Sequence, residues 1–283
     1  NEKYQIPLCD LILQKRGLEK LIGTYIDKLP ECVSPKDGRL HAQFNQLGTD
    51  CITEDSAVVT SQGVLKITDI VGECINGDYA SFKYDLINEN NEIEQTSHKI
   101  KFENVPTIKI KLANGFELEG TPNHPIRVLT NSWQPIWKTL DKITTEDSII
   151  IDCQPYLFYY NKLHDINVGN NFIFENKFEA IKCSQWLLKL GILCGIIVCD
   201  KLYKVAVPEP YKKMVDKLFT TNIDIFNFAY DVVTSDLFCI KVSSMSQGIN
   251  TVYDFTLPET HSFIANGFIC HNTGRFSSSN PNL

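Results

Sequence analysis

The chain has 283 residues, of which 43% are apolar and 22% charged, and a formal net charge of −7. These are globular values, with room for one large domain or two ordinary ones, and they exclude a disordered chain. The acidic balance argues against a broad nucleic-acid surface, no run of about 18 apolar residues offers a membrane span, and "NEKYQIPLCD" shows no secretory pattern; a soluble, cytoplasmic monomer is expected.

In chain order, "PLCDLILQKRGLEKLIGTYIDKLP" carries apolar residues at helical spacing and predicts a helix ending near Pro30. A turn at Pro35-Lys36-Asp37-Gly38 and an alternating run then suggest a strand up to Asp50. From Cys51 to about Asp152 the texture is β: "SAVVTSQGVLKITDI", "VPTIKIKLANGFELEGT", "HPIRVLTNSW" and "DSIIID" are short β-branched or alternating runs. Turn signals at Gln62-Gly63 and Asn114-Gly115 divide them. Residues 153–235 differ, with helices in "NKFEAIKCSQWLLKLGIL" and "PEPYKKMVDKLF" and a strand in "DKLYKVAV". β texture returns from 236 in "LFCIKVSSMS", "INTVYDFTLP" and "HSFIANGFICHN". The expected class is mainly β, an α/β insertion separating two β pieces that pair with each other.

The ten cysteines contain no CxxC pair. Zinc sites show short-range ligand pairs and disulfide scaffolds belong to small secreted chains, so neither is expected. Most cysteines read as small buried apolar residues. Two are singled out by position. Cys51 opens the β region, and its thiol adjoins the Asp50 carbonyl, which it can attack to form a thioester. "GTPNHPI" supplies Thr121, Asn123 and His124 on a tight turn, a hydroxyl, an amide and an imidazole able to hold an oxyanion and protonate the departing nitrogen. Downstream, the Asn272 side chain can cyclise onto its own carbonyl and break the bond to Thr273, with His271 and His261 placed to move protons. The Thr273 hydroxyl can accept the acyl group. Singly, each residue has an ordinary core or turn reading; the joint arrangement does not.

Residues 51–272 resemble an intein, a self-excising protein-splicing element. "CITEDSAVVTSQGV" resembles the family's first block and "LEGTPNHPIRVL" its TxxH block. "VYDFTLPETHSFIANGFICHN" resembles the two C-terminal blocks and is the most specific match. The resemblance implies a horseshoe-like Hint fold and four steps: an N-to-S acyl shift at Cys51, transfer to Thr273, Asn272 cyclisation, and ligation of Asp50 to Thr273. It also implies that Asp254 tunes Cys51 and the branched intermediate, that His261 assists cyclisation, and that no cofactor or metal is required. The parts implied are 51–152 and 236–272 for the splicing domain, 153–235 for the insertion, and 1–50 and 273–283 for the flanks.

Removing 51–272 leaves "GRLHAQFNQLGTDTGRFSSSNPNL", similar to a segment of family A DNA polymerases. There Arg275 would meet nucleic acid in the intact host; this chain lacks the metal-binding carboxylate motifs and would not polymerise. The partners implied are its own flanks. Within the insertion, "LCGIIVCDK" (193–201) can be laid over a LAGLIDADG endonuclease motif with Asp200 at the metal position. Its second copy is missing, so a decayed remnant is the expectation. Asp50 can attack its own thioester carbonyl through a cyclic anhydride, predicting N-terminal cleavage as a side reaction, and Thr273 predicts a slow second step. Cys270 is a candidate for a regulatory disulfide with Cys51. The alternatives are a Hedgehog-like autoprocessing domain, a polymerase accessory module and an active homing endonuclease.

Overall fold

A computed structural model describes residues 50–153, 172–209, 211–212 and 238–272. The expected helix before Pro30, the strand leading to Asp50, most of the helix in "PEPYKKMVDKLF", Thr273 and Arg275 lie outside the described residues. Asp50–Gly274 cluster as one unit, to which everything below belongs.

β1 (Ile52–Thr53) leads into the hairpin of β2 (Ala57–Thr60) and β3 (Gly63–Lys66), at the expected turn. The "ITDIV" that follows is not strand but a short helix, α1 (Ile67–Val71), whose Ile67, Ile70 and Val71 are buried. Three short strands precede the long one: β4 (Ala80–Ser81), β5 (Asp85–Ile87) and β6 (Ile93–Gln95). β7 (His98–Leu112) turns at Asn114-Gly115 into β8 (Glu117–Gly120). Gly115 has φ +86, and a Cβ there would lie 1.9 Å from the Ile196 carbonyl oxygen, so only glycine fits. β9 (Pro125–Leu129), β10 (Pro135–Thr139), a 3₁₀ turn (Leu140–Lys142) and β11 (Ser148–Ile151) complete the first half.

The described part of the middle stretch is a helix and three strands: β12 (Ile173–Phe174), α2 (Lys177–Lys189), β13 (Gly195–Cys199) and β14 (Leu202–Ala206). Asn176 caps α2, its Oδ1 accepting from Phe178 N at 2.8 Å, and Gly191 follows its end at φ 74. The helix is buried on almost all sides, and Trp186, Leu187 and Leu188 join the same apolar cluster as Ile52, Ile110 and Phe263. Lys189, 2% exposed, lies 2.6 Å from the buried Asp152 carboxylate and donates to Asn91 Oδ1 at 2.9 Å. The stretch is therefore fastened into the β core and does not stand apart from it. Asp200, placed by the endonuclease overlay, is exposed on the β13–β14 turn at φ 54.

The first two expected strands after residue 236 merge into one, β15 (Phe238–Thr256), which runs antiparallel to β7 from Val242↔Leu112 to Thr256↔His98. Register shifts interrupt this ladder between Val242 and Ser244 and between Asn250 and Val252. The second lies beside Pro106, which has no N–H to give. β16 (Ser262–Ala265) and β17 (Phe268–His271) form the last hairpin. The β path runs β4-β7-β8-β1-β15-β11-β9-β17-β16-β2-β5-β6, with β10 on β9 and β3 on β2. Among the described residues no helix is long and apolar enough to cross a membrane.

Candidate active site

The Asp50-Cys51 bond is held by the turn between β8 and β9. His124 N donates to Thr121 O at 2.9 Å, and Asp141 N to Pro122 O at 2.8 Å, so both sides of the turn are anchored. Cys51, fully buried, exchanges backbone hydrogen bonds with this turn. Thr121 N donates to Cys51 O at 2.9 Å, and Cys51 N donates to Thr121 Oγ1 at 3.2 Å. Gly120 makes the approach possible, because a Cβ there would lie 2.6 Å from Cys51 O and 3.4 Å from His124 Cβ. The glycine before "TPNH" was the sequence signal for this contact, and sequence reasoning passed over it.

The three side chains of the turn take three different parts of Asp50-Cys51. Thr121 takes the Cys51 nitrogen. His124 Nδ1 takes the Asp50 carbonyl oxygen. Asn123 takes neither: its Nδ2 donates to Asp50 Oδ1 at 2.8 Å, on the side chain. A carbonyl oxygen only accepts, so Nδ1 carries the imidazole proton and neutral His124 has its lone pair on Nε2. Burial holds the imidazole neutral, its pKa pushed down to about 4 against the opposing pull of the Asp50 hydrogen bond.

Asn272 directly follows β17. Cys270 pairs with Ile126 of β9, two residues before Asn272 on one strand and two after His124 on the other. Asn272 is fully buried, and its N–H donates to His261 O at 2.9 Å. His261 is held at φ 56, a left-handed conformation strained for a side-chain-bearing residue, which turns its carbonyl toward Asn272. The His261 and His271 rings are 5.9 Å apart, and His271 Nδ1 is 3.8 Å from Asp50 Oδ2. Asp254 is reached from a third side: Ile52 pairs with Tyr253, so the next position of the ladder sets Asp254 across from Cys51. It is 2% exposed, its Oδ1 accepts from Phe255 N at 2.8 Å, and its charge helps burial push the Cys270 thiol up.

The structure thus brings Asp50, Cys51, Thr121, Asn123, His124, Asp254, His261, His271 and Asn272 together. Cys270 stands beside them, buried like Cys51, and neither sulfur is in a disulfide. Sequence reasoning missed one supporting row. Trp137 meets His271 edge-on at 5.0 Å and 81°, and the Arg127 guanidinium lies 4.0 Å over the same indole. Arg127 is fixed in turn by two hydrogen bonds to Glu89, at 3.0 and 3.1 Å. No local motif marks these residues, because the row exists only once β10 pairs with β9.

Comparison with known families decides the assignment. The family model described as the intein splicing domain matches residues 58–272, about three quarters of the chain. The chain belongs to the intein splicing family. It is a mainly β protein that carries out its own excision by autocatalytic protein splicing. Among solved structures it is similar to a DnaB intein from Synechocystis sp. PCC 6803, at 17% identity, TM-score 0.40, covering 79% of this chain and 98% of that one. It is also similar to the TvoVMA intein, at 12% identity, TM-score 0.45, covering 79% and 98%. A short stretch resembles DNA polymerase I. It is 60% identical over 43 residues to the thermostable DNA polymerase I of Thermus thermophilus and 52% over 42 residues to the DNA polymerase I of Chloroflexus aurantiacus. Each alignment covers 15% of the intein-bearing chain and only 5% or 4% of the polymerase.

Proposed function

We propose that this intein splices by four steps centred on His124 and that it interrupts a DNA polymerase I. Its flanks, 1–50 and 273–283, are then rejoined as polymerase sequence, and Arg275 would contact nucleic acid in the complete host. The splicing parts are 51–152 and 236–272. The described core of 153–235 supports their fold rather than cutting DNA.

In the first step the Cys51 sulfur attacks the Asp50 carbonyl carbon. A C–S bond forms, the C–N bond breaks, and the thiol proton ends on the Cys51 nitrogen. The carbonyl oxygen, negative in the transition state, sits on His124 Nδ1–H, and a donor of this kind is worth about 10²–10³ in rate. Thr121 Oγ1 orients the leaving nitrogen from 3.2 Å. In the second step the Thr273 hydroxyl attacks the thioester, returning its proton to Cys51 sulfur. The buried Asp254, one ladder position across from Cys51, is suited to poise the thiol in both directions. In the third step Asn272 Nδ2 attacks its own backbone carbonyl, the bond to Thr273 breaks, and one proton passes to the freed Thr273 amine. His271 and His261 are the bases at hand. The amine finally displaces the ester oxygen, leaving a peptide bond between Asp50 and Thr273.

The observation that carries this reading is the convergence of both ends on one histidine cluster: His124 Nδ1 takes the Asp50 carbonyl, His271 Nδ1 lies 3.8 Å from Asp50 Oδ2, and Asn272 N–H donates to His261 O at 2.9 Å. Expression of the full chain followed by mass spectrometry tests it. The expected products are a released piece of residues 51–272 and a ligated piece joining 1–50 to 273–283. Cys51→Ala combined with Asn272→Ala should abolish both, and products that persist in that double variant would refute the assignment.

A further inference from the structure

The residue before the first junction is the one the reaction hands over, and here it is an aspartate. Asp50 brings a carboxylate that can attack its own activated carbonyl, yet the intein receives that carboxylate in a defined place. Its side chain is 16% exposed, Oδ1 accepts from Asn123 Nδ2 at 2.8 Å, and Oδ2 faces His271 Nδ1 at 3.8 Å. The turn does not need the Asn123 side chain for its own shape. It is held by the backbone bonds of His124 and Asp141, and the carbonyl and nitrogen of the junction are taken by His124 and Thr121.

We propose that Asn123, assisted by His271, is a specificity-determining residue that recognises the side chain preceding the junction and keeps the Asp50 carboxylate off its own backbone carbonyl. This rests on Cys51 forming the thioester described above. In that thioester a released carboxylate oxygen would bond to the Asp50 carbonyl carbon and close a five-membered anhydride. The C–S bond would break and Cys51 would depart as thiolate, taking a proton from water. A second water molecule would open the anhydride to two carboxyl groups, severing the upstream flank. Two features of the clamp oppose this. The Asn123 N–H draws electron density from the attacking oxygen, and a fixed side chain cannot rotate into the ring-closing geometry. Burial supports it, since the Asp50 carboxyl has its pKa raised by desolvation and gains from every donor supplied.

The test is a cycle of four full-length proteins: the unchanged chain, Asn123→Ala, Asp50→Ala and the double variant. Each is followed by mass spectrometry in water enriched in oxygen-18. With Asp50 present, Asn123→Ala should raise the ratio of N-terminal cleavage to splicing on the order of tenfold, the worth of one hydrogen bond to a charged group. Part of the label should appear in the side-chain carboxyl of the released Asp50, from water opening the anhydride at that carbonyl, where direct thioester hydrolysis would not put it. With Asp50→Ala, the same change at Asn123 should alter that ratio less than about twofold. Asn123→Asp, of equal size but like charge, should exceed the alanine effect and covers the case of a poorly folded Asn123→Ala. The proposal is overturned if Asn123→Ala lowers splicing equally with either residue at 50, which would mark a carbonyl contact. It is also overturned if the label stays out of the side chain. Failure of the unchanged chain to splice would instead count against the four-step reading.

Discussion

Lys189→Met is the perturbation that best tests whether the 172–206 segment is part of the splicing fold. Lys189 and Asp152 are 2% and 3% exposed, 2.6 Å apart, and tie α2 to the end of β11. Asp152 N also donates to Gly267 O at 3.0 Å, in the turn of the β16–β17 hairpin that delivers His271 and Asn272. Removing the lysine leaves a buried carboxylate without its cation and Asn91 Oδ1 without its donor, at a cost of about 3–5 kcal/mol. The pair itself is a different quantity. Taking both charges away with Lys189→Met and Asp152→Leu should recover most of the loss, because an apolar pair of similar volume avoids the desolvation cost. Urea unfolding of the four proteins in a Cys51→Ala/Asn272→Ala background, which keeps the chain intact, gives the midpoints. A single variant within about 1 kcal/mol of its parent would refute the reasoning and show the segment to be an appendage.

Stability should also depend on His124. Its pKa falls from 6.5 to about 4 on folding, so between those values the unfolded chain binds a proton that the folded chain refuses. Stability is complete above about pH 6.5 and drops on the order of 3 kcal/mol as pH falls toward 4; urea midpoints against pH should show that slope in the parent and lose it in His124→Gln. Gly120→Ala, which puts a Cβ 2.6 Å from Cys51 O, should cost about 1–3 kcal/mol and slow thioester formation, measured by thiol-induced cleavage at Asp50. Cys51→Ala alone should stop every N-terminal event while Asn272 still cyclises, seen as C-terminal cleavage without ligation.

The chemistry was legible in the sequence where it depends on residue order. The "TPNH" turn, the "HN" end and the β texture around them are local, and their side chains are presented by short strands and tight turns. Three things were not legible. β7 and β15 run far longer than their texture, because Pro106 and Gly248 fall inside a ladder that a register shift accommodates. α1 forms in "ITDIV", whose β-branched residues favour strand, because Ile67, Ile70 and Val71 lie on one buried face. Asn123 was assigned to the oxyanion by residue type, and only three dimensions separate the Asp50 carboxylate from the Asp50 carbonyl. The division of labour within one turn is a matter of angstroms that spacing does not carry.

The residues proposed to react are all set by strand ends and strand interiors of the same β path. Cys51 leads into β1, His124 lies at the start of β9, Asp254 within β15, and Asn272 just past β17. A one-residue slip in any of these ladders would turn its side chains to the opposite face, so a buried register fixes the site more firmly than loops would. His124 is then shared by geometry. In the proposed reaction its Nδ1 proton stays on the Asp50 carbonyl while the upstream flank is attached, and the imidazole would be released when that acyl group leaves for Thr273. The same departure takes the Asp50 carboxylate away from His271. In that reaction both imidazoles would change partners when the first half is done. Cyclisation before transfer would discard the flanks unligated, and an interaction that holds these imidazoles until transfer is a direct way to delay it. Asp50→Ala in the Cys51→Ala background should therefore release Asn272 cyclisation early, with C-terminal cleavage about threefold or more faster than in Cys51→Ala alone, the scale of a partly exposed ion pair. An equal rate in the two proteins would separate the junctions and leave their order to Thr273.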